Sequence, residues 1–161
     1  MEQNILPKKI KIAIFLMIAS GVLLFGQFGQ FVYAIGIVKT ALNQISATQY
    51  NTFSFILDNL ETLLIAILFI LFAYFLKRRK KWAWFGAMVL LLKGIVGGIQ
   101  LIPLFFSGQI SQLNELQAII PALTFTFFIV SMIISVLIYI LILISLIFLI
   151  LERKNYWQIA S

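Results

Sequence analysis

Residues 77–106 read KRRKKWAWFGAMVLLLKGIVGGIQLIPLFF, and this stretch decides the fold class of the 161-residue chain. It opens with five consecutive cations and continues as an apolar run that is long enough to cross a bilayer, at about 20 residues per helical span. Lys93 interrupts the apolar run. A basic flank followed by an apolar segment is typical of a transmembrane helix, whereas a charge inside the segment needs a partner.

The composition of the whole chain excludes a soluble domain. Hydrophobic residues make up 63 % of the chain and charged residues 11 %, whereas soluble domains are about half apolar and about a quarter charged. The chain has no cysteine and no histidine, which removes disulfides, thiolate nucleophiles and the usual base near neutral pH. We therefore expect an integral membrane protein that is not an enzyme and that holds no metal or cofactor.

The apolar stretches predict an all-α integral membrane protein, a four-transmembrane-helix bundle in which residues 1–161 form one domain. Each stretch is expected to be helical because a bilayer offers no water to backbone N–H and C=O groups. Residues 108–118 place apolar side chains three to four positions apart, which predicts an amphipathic helix at the outer interface. The four spans are predicted near residues 12–38, 55–76, 82–106 and 119–151.

The basic residues predict the orientation of the bundle. Ten of the twelve cations lie before the first span, in Lys77–Lys81 or after the last span, and the positive-inside rule places these segments and both termini in the cytoplasm. This distribution explains the net charge of +7 without nucleic acid as a partner. Lys77–Lys81 is also expected to contact anionic headgroups. Aromatic side chains near the same interface are expected to form a belt there, namely Trp82, Trp84, Tyr156 and Trp157. The absence of targeting and glycosylation signals favours a multi-pass protein of a bacterial plasma membrane.

Lys93 is expected to face the inside of the bundle and to pair with Glu61. A charge near the middle of a bilayer costs about 3 kcal/mol on insertion scales, so it normally turns toward polar groups. The second span carries Asp58 and Glu61 three residues apart, on one helix face. Helical rise places Glu61 within reach of a lysine stem from the adjacent antiparallel span. Asp58 is expected nearer the outer mouth.

Further polar residues are predicted at a similar depth on the first, third and fourth spans. They indicate a polar network or ligand-binding cluster that opens outward. Hydrogen bonds of this kind also hold membrane helices together, so a purely structural role stays open beside the functional one. The additional members of the cluster are Gln27, Gln30, Gln100, Ser131 and Ser135.

Glycines in the first and third spans are predicted to be helix-packing positions. A residue without a side chain lets neighbouring helix backbones approach closely, and Gly94 with Gly98 has the small-xxx-small spacing of such contacts. The predicted packing glycines are Gly26, Gly29, Gly94, Gly97 and Gly98.

Three classes of function are compatible with these features. The favoured one is a non-enzymatic accessory, regulatory or immunity-type protein that recognises another membrane protein or a secreted peptide, or that forms a homo-oligomer. The alternative is a solute, lipid or ion carrier or channel subunit that uses the polar cluster as its binding site; the lack of internal repeats and of paired broken helices disfavours it. An intramembrane enzyme would have to rely on Asp58, Glu61, Lys93 or Ser131.

Overall fold

The computed structural model describes the backbone of residues 6–45, 52–107 and 121–160, and these ranges are helical almost throughout. Side chains are described at positions 6–30, 32–33, 60–97, 99 and 129–160. In chain order the described helices are α1 (Lys8–Ile45), α2 (Thr52–Lys77), α3 (Lys81–Ser107), α4 (Pro121–Leu151) and α5 (Arg153–Ile159).

The long helices follow the predicted spans closely. α2 and α3 begin and end within a few residues of the predicted bounds, and α1 continues beyond its span through the polar residues up to Ile45. The predicted amphipathic segment 108–118 lies outside the described residues. Among the described residues, three helices contain stretches that are long and apolar enough to cross a membrane, namely Lys8–Gln30, Leu60–Lys77 and Ile129–Leu151. These helices indicate a membrane protein.

The outer surface of α4 is as apolar as its core. A soluble helix would place charged residues on the face opposite its buried stripe, whereas α4 exposes aliphatic side chains there. Such a surface is suited to lipid rather than to water. The exposed residues on this face are Met132, Ile133, Val136, Leu137, Ile140, Leu143, Ile147 and Ile150.

The four long helices pack in a ring, with the main interfaces between α1 and α2, α2 and α3, α3 and α4, and α4 and α1. The interfaces of α1 are more extensive than those of α3. The apolar core fills the half of the bundle that contains the start of α1, the α2–α3 turn and the end of α4. Its fully buried side chains include Ile10, Met17, Phe69, Leu76, Leu91, Leu149 and Tyr156.

The turn between α2 and α3 is a Schellman motif. The Lys80 N–H donates to the Phe75 carbonyl (3.2 Å) and the Arg79 N–H donates to the Leu76 carbonyl (3.0 Å). Arg79 lies in the left-handed region with φ 59°, a position that glycine usually occupies because a Cβ there costs about 1–2 kcal/mol. The basic turn therefore keeps a cation where glycine would relieve backbone strain.

Tyr156 of α5 joins this turn to the C-terminal end of the chain. Its hydroxyl donates to the Lys80 carbonyl at 3.0 Å and also lies 3.5 Å from the Leu76 carbonyl. The sequence suggests Tyr156 as a residue of an aromatic belt at the interface, but the side chain is fully buried. Burial raises the pKa of Tyr156 to about 12.

Glu152, between α4 and α5, joins the same end to the start of α1. Its carboxylate forms an ion pair with Lys9 at 3.4 Å and accepts a hydrogen bond from the Asn155 amide. These contacts and those of Tyr156 bring three basic segments together, and we call the region that they form the basic end. The segments are Lys8–Lys11, Lys77–Lys81 and Arg153–Lys154.

The glycines that pack most tightly differ from the predicted set. A Cβ added at Gly86 would overlap the Phe72 ring, and one added at Gly21 would lie 3.0 Å from the Ala66 carbonyl oxygen. Gly94 is close to Ile142, as expected for a packing position. The prediction is wrong for Gly26, Gly29 and Gly97, where an added Cβ would meet nothing within 4 Å among the described residues. The surroundings of Gly98 lie outside the described residues.

Candidate functional site

Lys93 and Glu61 form the ion pair that the sequence predicts. The Lys93 Nζ lies 2.7 Å from the Glu61 Oε1, a distance at which the two charges also share a hydrogen bond. The pair joins α3 to α2, the antiparallel neighbour to which the short basic turn connects it. Complementary charges on adjacent helices, at depths within reach of a lysine stem, are sufficient to identify the partner.

The pair faces outward, so the expectation that Lys93 points into the bundle is wrong. The Lys93 side chain is 57 % exposed and the Glu61 side chain 63 % exposed. At about 100° per residue, Lys93 lies roughly 120° from the centre of the face that buries Ala87 and Leu91. Glu61 lies about 100° from the buried face of α2 by the same count. Both residues therefore occupy the flank of their helix.

The position of the pair along the helices is within the thickness of a bilayer core. Lys93 lies about 18 Å along the axis of α3 from Lys81, and Glu61 about 24 Å along α2 from Lys77, at 1.5 Å per residue. A hydrocarbon core is about 30 Å thick. We call the outward surface that contains Glu61 and Lys93, along the contact between α2 and α3, the charged seam.

A second polar group links α1 to α4. The Gln27 Nε2 donates to the Ser135 Oγ at 2.6 Å, and the Ser135 Oγ donates in turn to the Ser131 carbonyl, one helical turn back, at 2.8 Å. Ser131 and Ser135 continue the buried face of α4 that passes through Ile138. Such a bond between helices contributes about 0.6–2 kcal/mol in a membrane.

This α1–α4 group retains unused hydrogen-bonding capacity. The Gln30 Oε1 and the Ser131 Oγ are buried and have no hydrogen-bond partner in the described part of the chain. An unpaired buried polar atom costs about 1–3 kcal/mol, so a water molecule or a small ligand between α1 and α4 would be stabilised at these atoms.

The structure divides the predicted cluster into two. No hydrogen bond or ion pair between described side chains joins the charged seam to the α1–α4 group, which lies between the two helices on the other side of the ring. The side chains of Asp58 and Gln100 lie outside the described residues. Among the residues whose side chains are described, no group of three or more His, Cys, Asp or Glu could hold a metal ion.

A cation–aromatic cluster at the basic end was not predicted as a unit. The Arg153 guanidinium lies 5.5 Å from the Trp84 ring centre and 5.8 Å from that of Trp157. Trp84 is fixed by a hydrogen bond from its Nε1 to the Leu149 carbonyl at 3.3 Å. The spacing of Arg153 and Trp157, four residues apart on one helix face, was the signal in the sequence. The sequence interpretation assigned these residues separately, to topology and to the interface belt.

Known proteins provide no role that could be transferred to this chain. No family model, no curated protein and no solved structure matches it. The chemistry of the charged seam, of the α1–α4 group and of the basic end is therefore the basis for a functional proposal.

Proposed function

We propose that this chain is a non-enzymatic accessory, regulatory or immunity-type protein that recognises another membrane protein or a secreted peptide through the charged seam. In this proposal all four long helices cross the plasma membrane, and α3 is the span that presents Lys93. The observation that carries the proposal is the outward exposure of both members of the Lys93–Glu61 pair.

The energetics of a bilayer favour a partner over lipid at this position. Acyl chains cannot donate or accept hydrogen bonds. In lipid, the N–H groups of Lys93 and the carboxylate oxygen of Glu61 that the ion pair does not use would therefore have no hydrogen-bond partner. Intramembrane charges normally face a protein neighbour or a wet cavity. A polar side chain from another helix or a bound peptide would supply the missing contacts, and the modest interfaces of α3 leave its flank available.

The proposed orientation places the basic end in the cytoplasm. The three basic segments lie at one end of the bundle, as the Lys9–Glu152 and Tyr156–Lys80 contacts require, and cations accumulate on the cytoplasmic side of membrane proteins. Because the chain contains no cysteine, single variants Lys11→Cys, Lys80→Cys and Lys154→Cys can test this. We expect an impermeant maleimide to label all three from the cytoplasmic side only. Labelling of Lys11→Cys from the outside would contradict the orientation.

Photo-crosslinking in native membranes tests the recognition role. A photoreactive amino acid at Val96, exposed on α3 near Lys93, is compared with one at Val136, exposed on α4. We expect a discrete protein or peptide adduct from position 96, lost when Lys93→Met or Glu61→Gln is added, and no such adduct from position 136. Equal adducts from both positions, or adducts that persist in Lys93→Met, would reject the charged seam as the recognition surface.

A carrier or channel subunit is the second candidate, and the α1–α4 group favours it. The unpartnered Gln30 Oε1 and Ser131 Oγ, beside the Gln27–Ser135 bond, could line a path for a small polar solute. Flux through liposomes that contain the purified chain would support this candidate if it disappears in Ser131→Ala or Lys93→Met. Flux that is the same in empty liposomes would exclude it.

A further inference from the structure

A groove of about 560 Å³ lies at the basic end, where α4 passes into α5. The groove is open and shallow, which suits a lipid at the membrane surface better than an enclosed small molecule. One wall is polar and cationic and the other is aliphatic. The lining residues are Ile150, Leu151, Arg153, Lys154, Trp157 and Gln158.

The Arg153 guanidinium is held in place but is not neutralised. Its contacts with the Trp84 and Trp157 rings are cation–π contacts, which leave guanidinium N–H groups for an anion. Glu152, the adjacent acid, is occupied by Lys9 and Asn155. No described acidic side chain forms an ion pair with Arg153 or Lys154.

Trp157 provides a second, independent indication of a missing acceptor. Its indole Nε1 is buried and has no hydrogen-bond partner within the described ranges. An indole N–H usually finds an acceptor when it is buried. The same ring lines the groove beside Arg153, so a small outward turn of the indole would bring this N–H to an oxygen-rich anion in the groove.

We propose that this groove binds the phosphate headgroup of an anionic phospholipid, with Arg153, Lys154 and Gln158 around the phosphate and an acyl chain along Ile150 and Leu151. The aliphatic wall distinguishes a lipid from free phosphate, because Ile150 and Leu151 are exposed on the apolar surface of α4. This site is distinct from the basic α2–α3 turn, and it does not depend on the recognition role of the charged seam.

Native mass spectrometry of the full-length protein in a non-ionic detergent tests the site. The protein is titrated separately with phosphatidylglycerol, phosphatidylcholine and inorganic phosphate. We expect retained phosphatidylglycerol adducts, with an apparent affinity that falls about five- to tenfold in Arg153→Gln. Trp157→Phe, which keeps a ring and removes only the N–H, is expected to lose about two- to fivefold. Lys8→Gln, which removes one exposed cation at the same end, is the matched control and should stay within about twofold.

Three results would overturn the proposal. Equal losses in Lys8→Gln and Arg153→Gln would mean that the basic end attracts lipid only through its diffuse charge. Equal retention of phosphatidylcholine would remove the requirement for an anion, and binding of inorganic phosphate as tight as that of the lipid would remove the role of the aliphatic wall. If Arg153→Gln does not fold, Lys154→Gln and Trp157→Phe decide by the same comparison with Lys8→Gln.

Discussion

Tyr156 and Lys93 are single residues whose surroundings determine how the bundle is held together and what it presents. Tyr156 is buried at the basic end and donates its hydroxyl to the carbonyl that ends the α2–α3 turn. Lys93 is exposed on the flank of α3 and is paired with one acid. Hydrophobicity alone would have suggested the reverse, with an interfacial tyrosine and a buried ion pair.

Tyr156→Phe should lower the free energy of unfolding by about 1–2 kcal/mol, since it deletes a buried hydrogen bond and leaves the ring packing intact. Tryptophan fluorescence during denaturant titration in detergent measures this change. The matched control is Tyr74→Phe, the same deletion on an exposed ring, which should stay within about 0.5 kcal/mol. Equal effects of the two substitutions would mean that the Tyr156 hydroxyl does not stabilise the turn.

The raised pKa of Tyr156 also gives this contact a pH dependence. The folded state keeps the proton to about pH 12, whereas an unfolded tyrosine loses it near pH 10. The stabilisation is therefore complete below about pH 10 and is lost as the pH rises toward 12. In Tyr156→Phe this alkaline loss should be smaller than in the unaltered chain.

Breaking the Lys93–Glu61 pair on one side should destabilise the chain in bilayers more than removing both charges. Lys93→Met leaves the Glu61 carboxylate without its partner, and Glu61→Gln leaves the Lys93 ammonium without its partner. Each single variant is expected to lower the free energy of unfolding by an amount on the order of 1–3 kcal/mol. The double variant should recover most of that loss. Unfolding in lipid bicelles of the two single variants and the double variant measures the coupling, and strictly additive effects would show that the two charges act independently.

At the scale of elements, the helices were predictable but their rotation was not. A bilayer requires apolar segments to be helical, so the bounds of α2 and α3 follow from length and hydrophobicity. Glu61 was found as the partner of Lys93 because the two residues lie on adjacent antiparallel helices at depths that differ by about 6 Å, which a lysine stem can span. Which flank faces outward depends on how all four helices pack, and a single apolar sequence contains little periodicity to indicate it.

The same limitation explains why the packing glycines were misassigned. Gly26, Gly29 and Gly97 have the right depth, but an added Cβ would meet no atom of the described residues within 4 Å, whereas one at Gly86 would meet the Phe72 ring. Tyr156 was placed at the interface because α5 was not anticipated as a helix that packs back against the α2–α3 turn. Such long-range contacts depend on tertiary structure and leave no local pattern in the sequence.

Gly86→Ala should weaken the α2–α3 interface. The new methyl group would overlap Phe72, and overpacking of this kind typically costs about 1–3 kcal/mol. Denaturant titration in detergent is the measurement, with Gly97→Ala as the control, because its methyl group would meet no atom of the described side chains within 4 Å. Because Phe72→Leu removes the ring, adding it to Gly86→Ala should restore stability. A Gly86→Ala variant as stable as Gly97→Ala would contradict the tight contact.

At the scale of the whole molecule, the two ends of the bundle differ in chemistry. The basic end is closed by Tyr156 and Glu152 around an apolar core, which makes it suitable as a rigid anchor. Farther from it, polarity reaches the surface at the charged seam and enters the ring between α1 and α4. This division suits the recognition role that we propose, since the anchored half would hold the polar half in a fixed position within the membrane.

The outward direction of the charged seam is the central claim, and spin labelling measures it most directly. The chain has no native cysteine, so Val96→Cys on the flank of α3 and Ile142→Cys in the core of α4 each carry a single nitroxide. In liposomes that contain only the purified chain, the label at position 96 should collide with dissolved oxygen as often as a lipid-facing label, and several-fold more often than the label at position 142. An accessibility at position 96 as low as that at position 142 would place the seam inside the bundle and contradict the account.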